Sequence, residues 1–486
     1  MSHLLLTIRF LDARYHGKAD GGRREWPPSP MRLFAALLAG AKSRWSDQQR
    51  EAFEWLQRQP PPVIRASKGR PGVGMLTYVP NNNSDSGQIK RTAKVIQPTL
   101  LNEPPIVQYS WEVEPGDGAR AQAIAEAAHH IRALGWGIDL AIGDGSVVGV
   151  RPSDHGALDV FHARPPGVGG GVCLRVSVNG SLQSLEDAYR LSLDRIRPGG
   201  EVHDQPGIPT CEKRVYAASG ARPFCALALQ TPDEEPVAFR PQQIKELVGM
   251  IRHAAACDVV RRAVEKMNRS RPARDAIDVD RVILGHPPDA PGPRLSVLPL
   301  PSIGHAHSDG HIRRVILAEP VSGDGSLCRL LFQTLHGRAL EPTLPADASS
   351  PGEVRLVQLA PTDRFLCYYA PPNPARVWAS VTPVLLPGYD DRKQHRGDHQ
   401  KRLARAERLV CRAMAQAGID VPARIEVSRV PWWPGSLHVR DYRPREKLEH
   451  YPRYHVRLCF GQPITGPLAI GAGRHAGFGV MAACGE

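Results

Sequence analysis

Three histidines lie within seven residues of the chain, at His305, His307 and His311, with Asp309 between them. An imidazole gains and loses a proton near neutral pH, so a histidine pair can remove one proton and donate another in a single reaction. Histidine and aspartate also ligate transition metals. The cluster therefore predicts an acid–base site or a dinuclear metal site. Histidines that are hydrogen-bonded within a loop are the purely structural alternative.

The metal alternative departs from two known spacings. In the zinc motif HxHxDH the aspartate directly precedes the third histidine, whereas here Gly310 separates Asp309 from His311. The polymerase-and-histidinol-phosphatase motif has an aspartate two residues before its first histidine, and Ile303 stands at that position. Neither known metal spacing is met, so we expect no metal ion or other cofactor at these histidines. A metal-dependent hydrolase that uses the whole cluster is the less favoured alternative.

A glycine-rich segment, residues 466–480, lies close to the C-terminus between two apolar stretches that are predicted as strands. Glycine lets backbone N–H groups approach a phosphate closely, and cationic side chains nearby add further donors. The candidates for phosphate contact are Gly471, Gly473, Arg474, His475 and Gly477. A glycine-rich hairpin that serves only as a turn is the alternative.

The elements that could position these residues follow the same predicted order, a strand, a loop and a helix, at two places in the chain. A strand at His3–Phe10 is followed by a proline-rich turn and a helix over Met31–Ala41, and a strand at Phe224–Gln230 precedes a helix opened by Pro241. This repeat predicts two related α+β halves, with a boundary in the Pro-, Gly- and charge-rich stretch 195–222. One basic helix is predicted over residues 396–417. Further strands are predicted near Leu295–Leu300, Arg313–Leu317, Trp378–Leu386, Arg424–Val430 and Tyr454–Phe460.

The charge of the chain indicates a polyanionic partner. Among 486 residues there are 62 Lys and Arg against 49 Asp and Glu, a formal net charge of +13. Between Asp391 and Phe460 there are 16 basic and eight acidic residues, with several tryptophans and tyrosines between them. Such a surface can neutralise phosphates and stack bases. A solvated basic helix above ordinary core aromatics is the alternative.

The sequence also excludes several classes of protein. No apolar run approaches the length of about 18 residues that a membrane-spanning helix needs. The nine cysteines are dispersed and include no CxxC pair, which argues against a disulfide framework or a zinc knuckle. We therefore expect a cytoplasmic protein with no membrane partner.

Five stretches of the sequence together resemble one protein family. They are Trp26–Leu37, Leu298–Gly310 (LPLPxxGHxHxDG), Thr382-Pro383, Pro452–Leu458 and Gly466–Gly479 (GPxxxGxGRHxGxG). Their order and content are similar to the fused large subunit of type I-G (formerly I-U) CRISPR surveillance complexes. That family joins a subunit that binds the 5′ handle of CRISPR RNA (crRNA) to an endoribonuclease that processes its precursor, and both parts belong to the RAMP superfamily.

The resemblance implies an α+β fold with two RAMP halves, each with ferredoxin-like (RRM-like) domains, and a C-terminal glycine-rich loop that contacts RNA. Residues 1–218 would bind the crRNA 5′ handle, and residues 219–486 would process CRISPR repeat RNA. The implied partners are repeat RNA, mature crRNA, the other subunits of Cascade and, through that complex, target DNA.

The resemblance further implies metal-independent cleavage that leaves a 2′,3′-cyclic phosphate. Related endoribonucleases place a catalytic histidine on or near the first helix of the domain, which indicates His253, although a histidine at a helix end is commonly a surface residue. His305 and His307 lie in the more distinctive motif and could supply acid and base together, so we favour this pair, with His253 as the alternative catalytic histidine. The further RNA-binding candidates are Arg313, Arg314, Arg453 and Arg457. The main alternative is a crRNA-binding subunit without catalysis.

Overall fold

The computed structural model describes residues 2–22, 24–80, 91–150, 158–194, 207–218, 220–287, 292–305, 307–341, 352–388 and 398–484. The chain divides into two compact units. The first comprises Met1–Ala163 with Val172–Ser219, and the second comprises Arg164–Gly171 with Gly220–Glu486. Part of the predicted boundary stretch, residues 195–206 and 219, lies outside the described residues. In the described part of the chain, no helix has the length and apolar character needed to cross a membrane.

The first unit is a seven-stranded antiparallel sheet with helices packed against it and two smaller sheets beside it. The order across the large sheet is β11-β12-β10-β3-β8-β1-β9. The elements are β1 (Ser2–Phe10), β2 (Arg14–Tyr15), α1 (Pro30–Ala41), α2 (Asp47–Leu56), β3 (Val63–Ser67), β4 (Gly69–Pro71), β5 (Met75–Pro80), β6 (Arg91–Ile96), β7 (Thr99–Leu101), β8 (Ile106–Val113), α3 (Gly118–Ala128), β9 (Ala141–Val148), β10 (Leu158–Ala163), β11 (Val172–Val176), α4 (Ser181–Asp194) and β12 (Glu212–Ala218).

The second unit contains two antiparallel sheets. Their orders are β14-β15-β13-β16 and β19-β20-β17-β21, with β18 paired to one end of β20. The elements are β13 (Phe224–Gln230), α5 (Ile244–Ala255), α6 (Asp258–Asn268), β14 (Ser296–Pro301), β15 (Ile312–Ala318), α7 (Ser326–Thr334), β16 (Arg355–Leu359), β17 (Ala375–Ser380), β18 (Val384–Leu385), α8 (His399–Gln416), β19 (Ala423–Ser428), α9 (Glu446–Glu449), β20 (Arg453–Ile464) and β21 (Met481–Ala483).

The same connectivity occurs three times in the described elements. In the order β1, α1, β3, β8, α3, β9, the first strand lies between the third and fourth strands, and the second strand lies beyond the third. The order β13, α5, β14, β15, α7, β16 repeats this arrangement. The strands β17, β19, β20 and β21 repeat it again, with α8 after the first strand. There the glycine-rich segment 466–480 takes the place of a helix between the last two strands.

Both faces of the sheet that contains β14 are covered. One face packs on α5, α6 and α7 through residues such as Leu227, Val297 and Val315. The other face, which includes Leu298 and Ile316, packs on residues of the second sheet and its connections. Strand β14 is consequently buried along its whole length and provides a fixed support for the loops at its two ends.

The mixed helix and sheet composition expected from the sequence is confirmed. The predicted helix starts are also observed, since α1 begins at Pro30 after Ser29 and α5 follows a turn that starts at Pro241. The single strand predicted over Trp378–Leu386 is wrong, because the structure has two short strands there. Pro383 lies between them and has no N–H to donate to a neighbouring strand.

Candidate RNA-contact site around the glycine-rich segment

The glycine-rich segment is held between the two sheets of the second unit. Ala476 forms a parallel bridge with Val297 of β14, and the N–H of Val297 donates to the carbonyl of His475 at 3.3 Å. On the other side, the N–H of Ala472 donates to the carbonyl of Leu385 in β18 at 2.8 Å. The position of Arg474 and His475 is therefore set by backbone hydrogen bonds to two separate strands.

The glycines of this segment are explained by close packing. A Cβ at Gly477, whose φ is +86°, would lie 2.7 Å from Cγ2 of Ile244 in α5. A Cβ at Gly471 would lie 2.5 Å from the carbonyl oxygen of Leu385, and one at Gly473 would lie 2.7 Å from Cβ of Phe478. These contacts require glycine whether or not a ligand is present. The RNA-binding role of Gly471, Gly473 and Gly477 stays a prediction.

Substituting alanine for Gly477 is expected to lower the free energy of unfolding by about 1–3 kcal/mol, because a side chain there combines a strained backbone with a steric clash. Gly461 in β20 is the matched control, since a Cβ at that position has no heavy atom within 4 Å. Urea unfolding of Gly477→Ala and Gly461→Ala would measure the difference. Equal stability of the two variants would contradict the packing explanation.

His475 forms a hydrogen-bonded chain with a serine and an arginine. Nδ1 of His475 is 2.8 Å from Oγ of Ser296, and Nη2 of Arg222 donates to the same Oγ at 2.5 Å. The serine hydroxyl accepts from Arg222 through one lone pair and has one proton of its own to donate. We assign that proton to Nδ1 of the imidazole, so that the neutral ring carries its proton on Nε2. In the described part of the chain, Nε2 has no hydrogen-bond partner.

Three arginines, Arg222, Arg252 and Arg474, surround His475, and we call them the arginine cluster. Arg252 donates to the carbonyl of His475 at 2.8 Å and to that of Leu284 at 3.3 Å. Arg474 donates to the carbonyl of Gly471 at 3.2 Å. Among the described residues, no carboxylate forms an ion pair with any of the three. Arg252 is only 9% exposed, and its buried Nε has no hydrogen-bond acceptor among the described residues.

Among the described residues, no negative charge pairs with the arginine cluster. Burial, with the charges of Arg445 and Arg294, lowers the pKa of Arg252 to about 10, and burial with the charge of Arg474 lowers the pKa of Arg222 to about 10. Burial, followed by the charges of the arginine cluster and of Arg294, lowers the pKa of His475 well below its usual value. His475 is therefore a neutral imidazole at pH 7 in a cationic environment, where an anion would compensate the excess charge.

The loop that contains His305 and His307 lies at the surface between β14 and β15. The N–H of His307 donates to Nδ1 of His305 at 3.2 Å, and both side chains are exposed. Asp309 accepts two hydrogen bonds from Arg313, at 2.6 and 3.0 Å, and Arg313 holds the pKa of this carboxyl well below its usual range. The charge of Arg313 is consequently compensated within the loop.

The less favoured metal alternative lacks a ligand set in the residues that the structure describes. No group of three or more His, Cys, Asp or Glu side chains among them is arranged to hold a metal ion. Asp309, which the alternative needs as a ligand, is engaged by Arg313 and by the N–H of His311.

The candidate catalytic histidines lie in two places. His305 and His307 follow the Pro301 end of β14, whereas Ser296, which contacts His475, is at the other end, roughly 16 Å away along the strand. His253 is the residue after Arg252 at the end of α5. Its exposed ring has Nε2 at 3.6 Å from the carboxylate of Glu341. The structure therefore separates His305 and His307 from the arginine cluster along β14, whereas His253 adjoins Arg252 in sequence and has its exposed ring near Glu341.

The other predicted RNA-binding arginines differ in how they are engaged. Arg453 pairs with Leu385, next to the glycine-rich segment, and donates to the carbonyls of Tyr442 and Glu449. Arg457 is 3.6 Å from the carboxylate of Glu426. The guanidinium of Arg314 lies 3.7 Å from the ring centroid of an exposed phenylalanine, Phe365, in a cation–π contact. Arg313 and Arg457 thus have carboxylate partners, whereas Arg314 and Arg453 contact neutral groups.

Sequence reasoning missed three members of the site: Arg222, Arg252 and Ser296. A signal for one of them was present. Arg252 follows Ile244 and Val248 at intervals of four residues, so it falls on the apolar stripe of its helix, where a buried charge calls for an explanation. Arg222 and Ser296 meet His475 only through pairing of distant strands, which no local pattern indicates.

Comparison with known proteins identifies one family. The model of the family described as CRISPR-associated protein, GSU0054 family, matches residues 1–483. This match extends over both compact units and includes the arginine cluster and the glycine-rich segment. No curated protein matches the chain at a significant level.

Proposed function

Because the chain belongs to the GSU0054 family of CRISPR-associated proteins, we propose that it is an endoribonuclease that cuts CRISPR repeat RNA and keeps the mature crRNA. It then acts as a subunit of a type I-G surveillance complex of the Cascade kind, with the other subunits and, through them, target DNA as partners. The observation that carries this proposal is the arginine cluster, which has no carboxylate partner in the described residues and lies beside the glycine-rich segment. Such a site suits the phosphate backbone of RNA.

The repeated connectivity supports a RAMP fold. An antiparallel four-stranded sheet in which the first strand lies between the third and fourth is the arrangement of ferredoxin-like (RRM-like) domains. In an RRM the bases stack on an open sheet face. Both faces of the β13–β16 sheet are covered here, so we assign RNA contact to the loops at its edges. In this proposal residues 1–218 seat the crRNA 5′ handle and residues 219–486 process the repeat.

The chemistry needs only proton transfer and charge stabilisation. A base removes the proton of a ribose 2′-OH, the oxygen attacks the adjacent phosphorus in line, and an acid protonates the departing 5′-oxygen. The products are a 2′,3′-cyclic phosphate and a 5′-hydroxyl. His307 is suited to the base, because its ring has no hydrogen-bond partner in the described part of the chain. In its neutral form His305 accepts from the N–H of His307 at Nδ1 and carries its proton on Nε2. To act as the acid it takes up a second proton on Nδ1, gives up the hydrogen bond from His307, and delivers the Nε2 proton to the 5′-oxygen, which leaves a neutral ring.

A second candidate function is a crRNA-binding subunit that does not cut. It is favoured by the separation of His305 and His307 from the arginine cluster along β14, since a catalytic pair must reach the phosphate that the protein holds. His253 follows Arg252 in the chain, so the separation along β14 does not apply to it, although the contact that the structure shows for its exposed ring is with Glu341.

The experiment that tests the proposal uses the full chain and its cognate repeat RNA in EDTA. We expect cleavage at one position within the repeat and a product that carries a 2′,3′-cyclic phosphate, together with retention of the 5′ handle fragment. RNA that is bound but uncut would contradict the catalytic part and support the second candidate. RNA that does not associate at modest salt would contradict both.

A further inference from the structure

We propose that the arginine cluster binds a single phosphodiester group and that His475 takes up a proton from solvent when this group binds. The identity of the ligand as RNA rests on the proposed function. The site itself is inferred from the contacts of Arg222, Arg252, Arg474, Ser296 and His475, whichever histidine performs the cleavage.

The donors around His475 fit a phosphate oxygen. Guanidinium groups recognise phosphate through pairs of N–H donors, and those of Arg252 and Arg474 are hydrogen-bonded only to neutral carbonyl oxygens in the described part of the chain. The buried Nε–H of Arg252 lacks an acceptor among the same residues. The side-chain hydrogen bond of His475 in the described part of the chain is formed at Nδ1, which leaves Nε2 for a ligand. A phosphodiester supplies both an acceptor for these groups and the negative charge that the cluster lacks.

Every group that faces His475 is cationic or neutral. Arg474 comes from the same segment, Arg222 from the residues before β13, Arg252 from α5, Arg294 from the residues before β14, and Ser296 from β14 itself. The largest electrostatic influences on this imidazole among the described residues are those of the four arginines, and no carboxylate is among them. These neighbours lower the pKa of the imidazole and keep it neutral while the site is empty. An anion at Nε2 raises this pKa.

The proton balance of this step is simple. One proton leaves solvent and binds to Nδ1 of His475, while Nε2 keeps its own proton and donates it to the phosphate oxygen. Oγ of Ser296 changes from donor to acceptor, and its two lone pairs then accept from Nδ1–H and from Arg222. No bond between heavy atoms forms or breaks.

Proton uptake makes phosphate affinity depend on pH with a defined sign. The pKa of His475 is lowered in the free protein and rises in the complex, so between these two values the complex holds one more proton than the free protein. Affinity therefore increases as the pH falls through this range, by up to about tenfold per pH unit.

The test measures binding of a 2′-O-methyl uridine decamer, which cannot be cleaved because its 2′ oxygens are blocked. We expect the affinity of the full chain for the decamer to rise severalfold from pH 8 to pH 6. The variant His475→Gln, which retains a side-chain amide for hydrogen bonding, is expected to bind with little pH dependence. A decamer of the same sequence with uncharged methylphosphonate linkages should show no such dependence with either protein. Equal pH slopes for the wild type and His475→Gln would overturn the inference.

A second readout follows the histidine directly. In protein with ¹⁵N-labelled histidine, the signals of His475 are identified by their loss in His475→Gln, and their pH titration is expected to move to higher pH when the decamer is added. Inorganic phosphate is the comparison probe. A shift with phosphate but not with the decamer would contradict the assignment to RNA. A shift with the decamer in a protein that cuts no repeat RNA would uphold this inference while the proposed cleavage fails.

Discussion

Alanine at both His305 and His307 is expected to slow cleavage of repeat RNA by about 10²–10⁴-fold, the usual contribution of a positioned general acid or base. The two rings are exposed on one loop, and the N–H of His307 donates to Nδ1 of His305, which fixes the protonated nitrogen of His305. The measurement is the single-turnover rate in EDTA at saturating protein. Under these conditions a change in RNA affinity does not alter the rate.

The matched control is His311→Ala in the same loop. His311 is engaged by Asp309, through its backbone N–H at 3.0 Å, and has no role in the proposed chemistry. Its substitution is expected to change the rate less than threefold. A rate loss confined to His253→Ala would show that the pair is not catalytic and would move the chemistry to the end of α5. Unchanged rates in all three variants would favour the binding subunit without catalysis.

Glutamine at Arg252 is expected to weaken RNA binding by about 10- to 100-fold, because the guanidinium provides charge-assisted hydrogen bonds to phosphate. The dependence of affinity on salt should also become shallower by about one counterion. The melting temperature should not fall together with the RNA affinity. Burial and like charges disfavour the ionised form of Arg252 in the free protein, so its removal is expected to leave the melting temperature unchanged or higher.

Arg261→Gln provides the control for this prediction. Arg261 lies on the next helix, α6, and its guanidinium is 2.6 Å from the carboxylate of Asp280, so its charge is already compensated. Its removal should leave RNA affinity within about twofold of the wild type. Equal losses of affinity in the two variants would indicate a diffuse electrostatic effect and contradict a specific site at Arg252.

Local sequence pattern predicts several of the elements, but it gives a single strand over Trp378–Leu386 where there are two, and it identifies only Arg474 and His475 of the site. The helix α5 follows from apolar residues at helical spacing, and α1 follows from Ser29 and Pro30 before an apolar run. Pairing between strands is a property of distant residues, so the contact of Ser296 with His475 could not be derived from periodicity. The same long-range pairing places Arg222 next to Ser296.

The glycine-rich segment shows why residue type alone was ambiguous. From the sequence, its glycines predict a close approach of backbone N–H groups to phosphate. The structure explains the same glycines by contacts with Ile244, Leu385 and Phe478. The prediction of Arg474 and His475 as phosphate contacts depends on their charge and not on the glycines. The packing explanation leaves it unchanged, because a cationic site favours an anionic partner.

The shared packing of the two sheets in the second unit has a consequence for cooperativity. One cluster of side chains joins Phe224 and Leu298 of the first sheet to Val480 and Ala482 of the segment that ends the chain. Another joins α5 to Phe478 and Tyr442. Neither sheet retains a complete apolar interior when the other melts, so residues 220–484 are expected to denature in a single transition rather than as two successive domains.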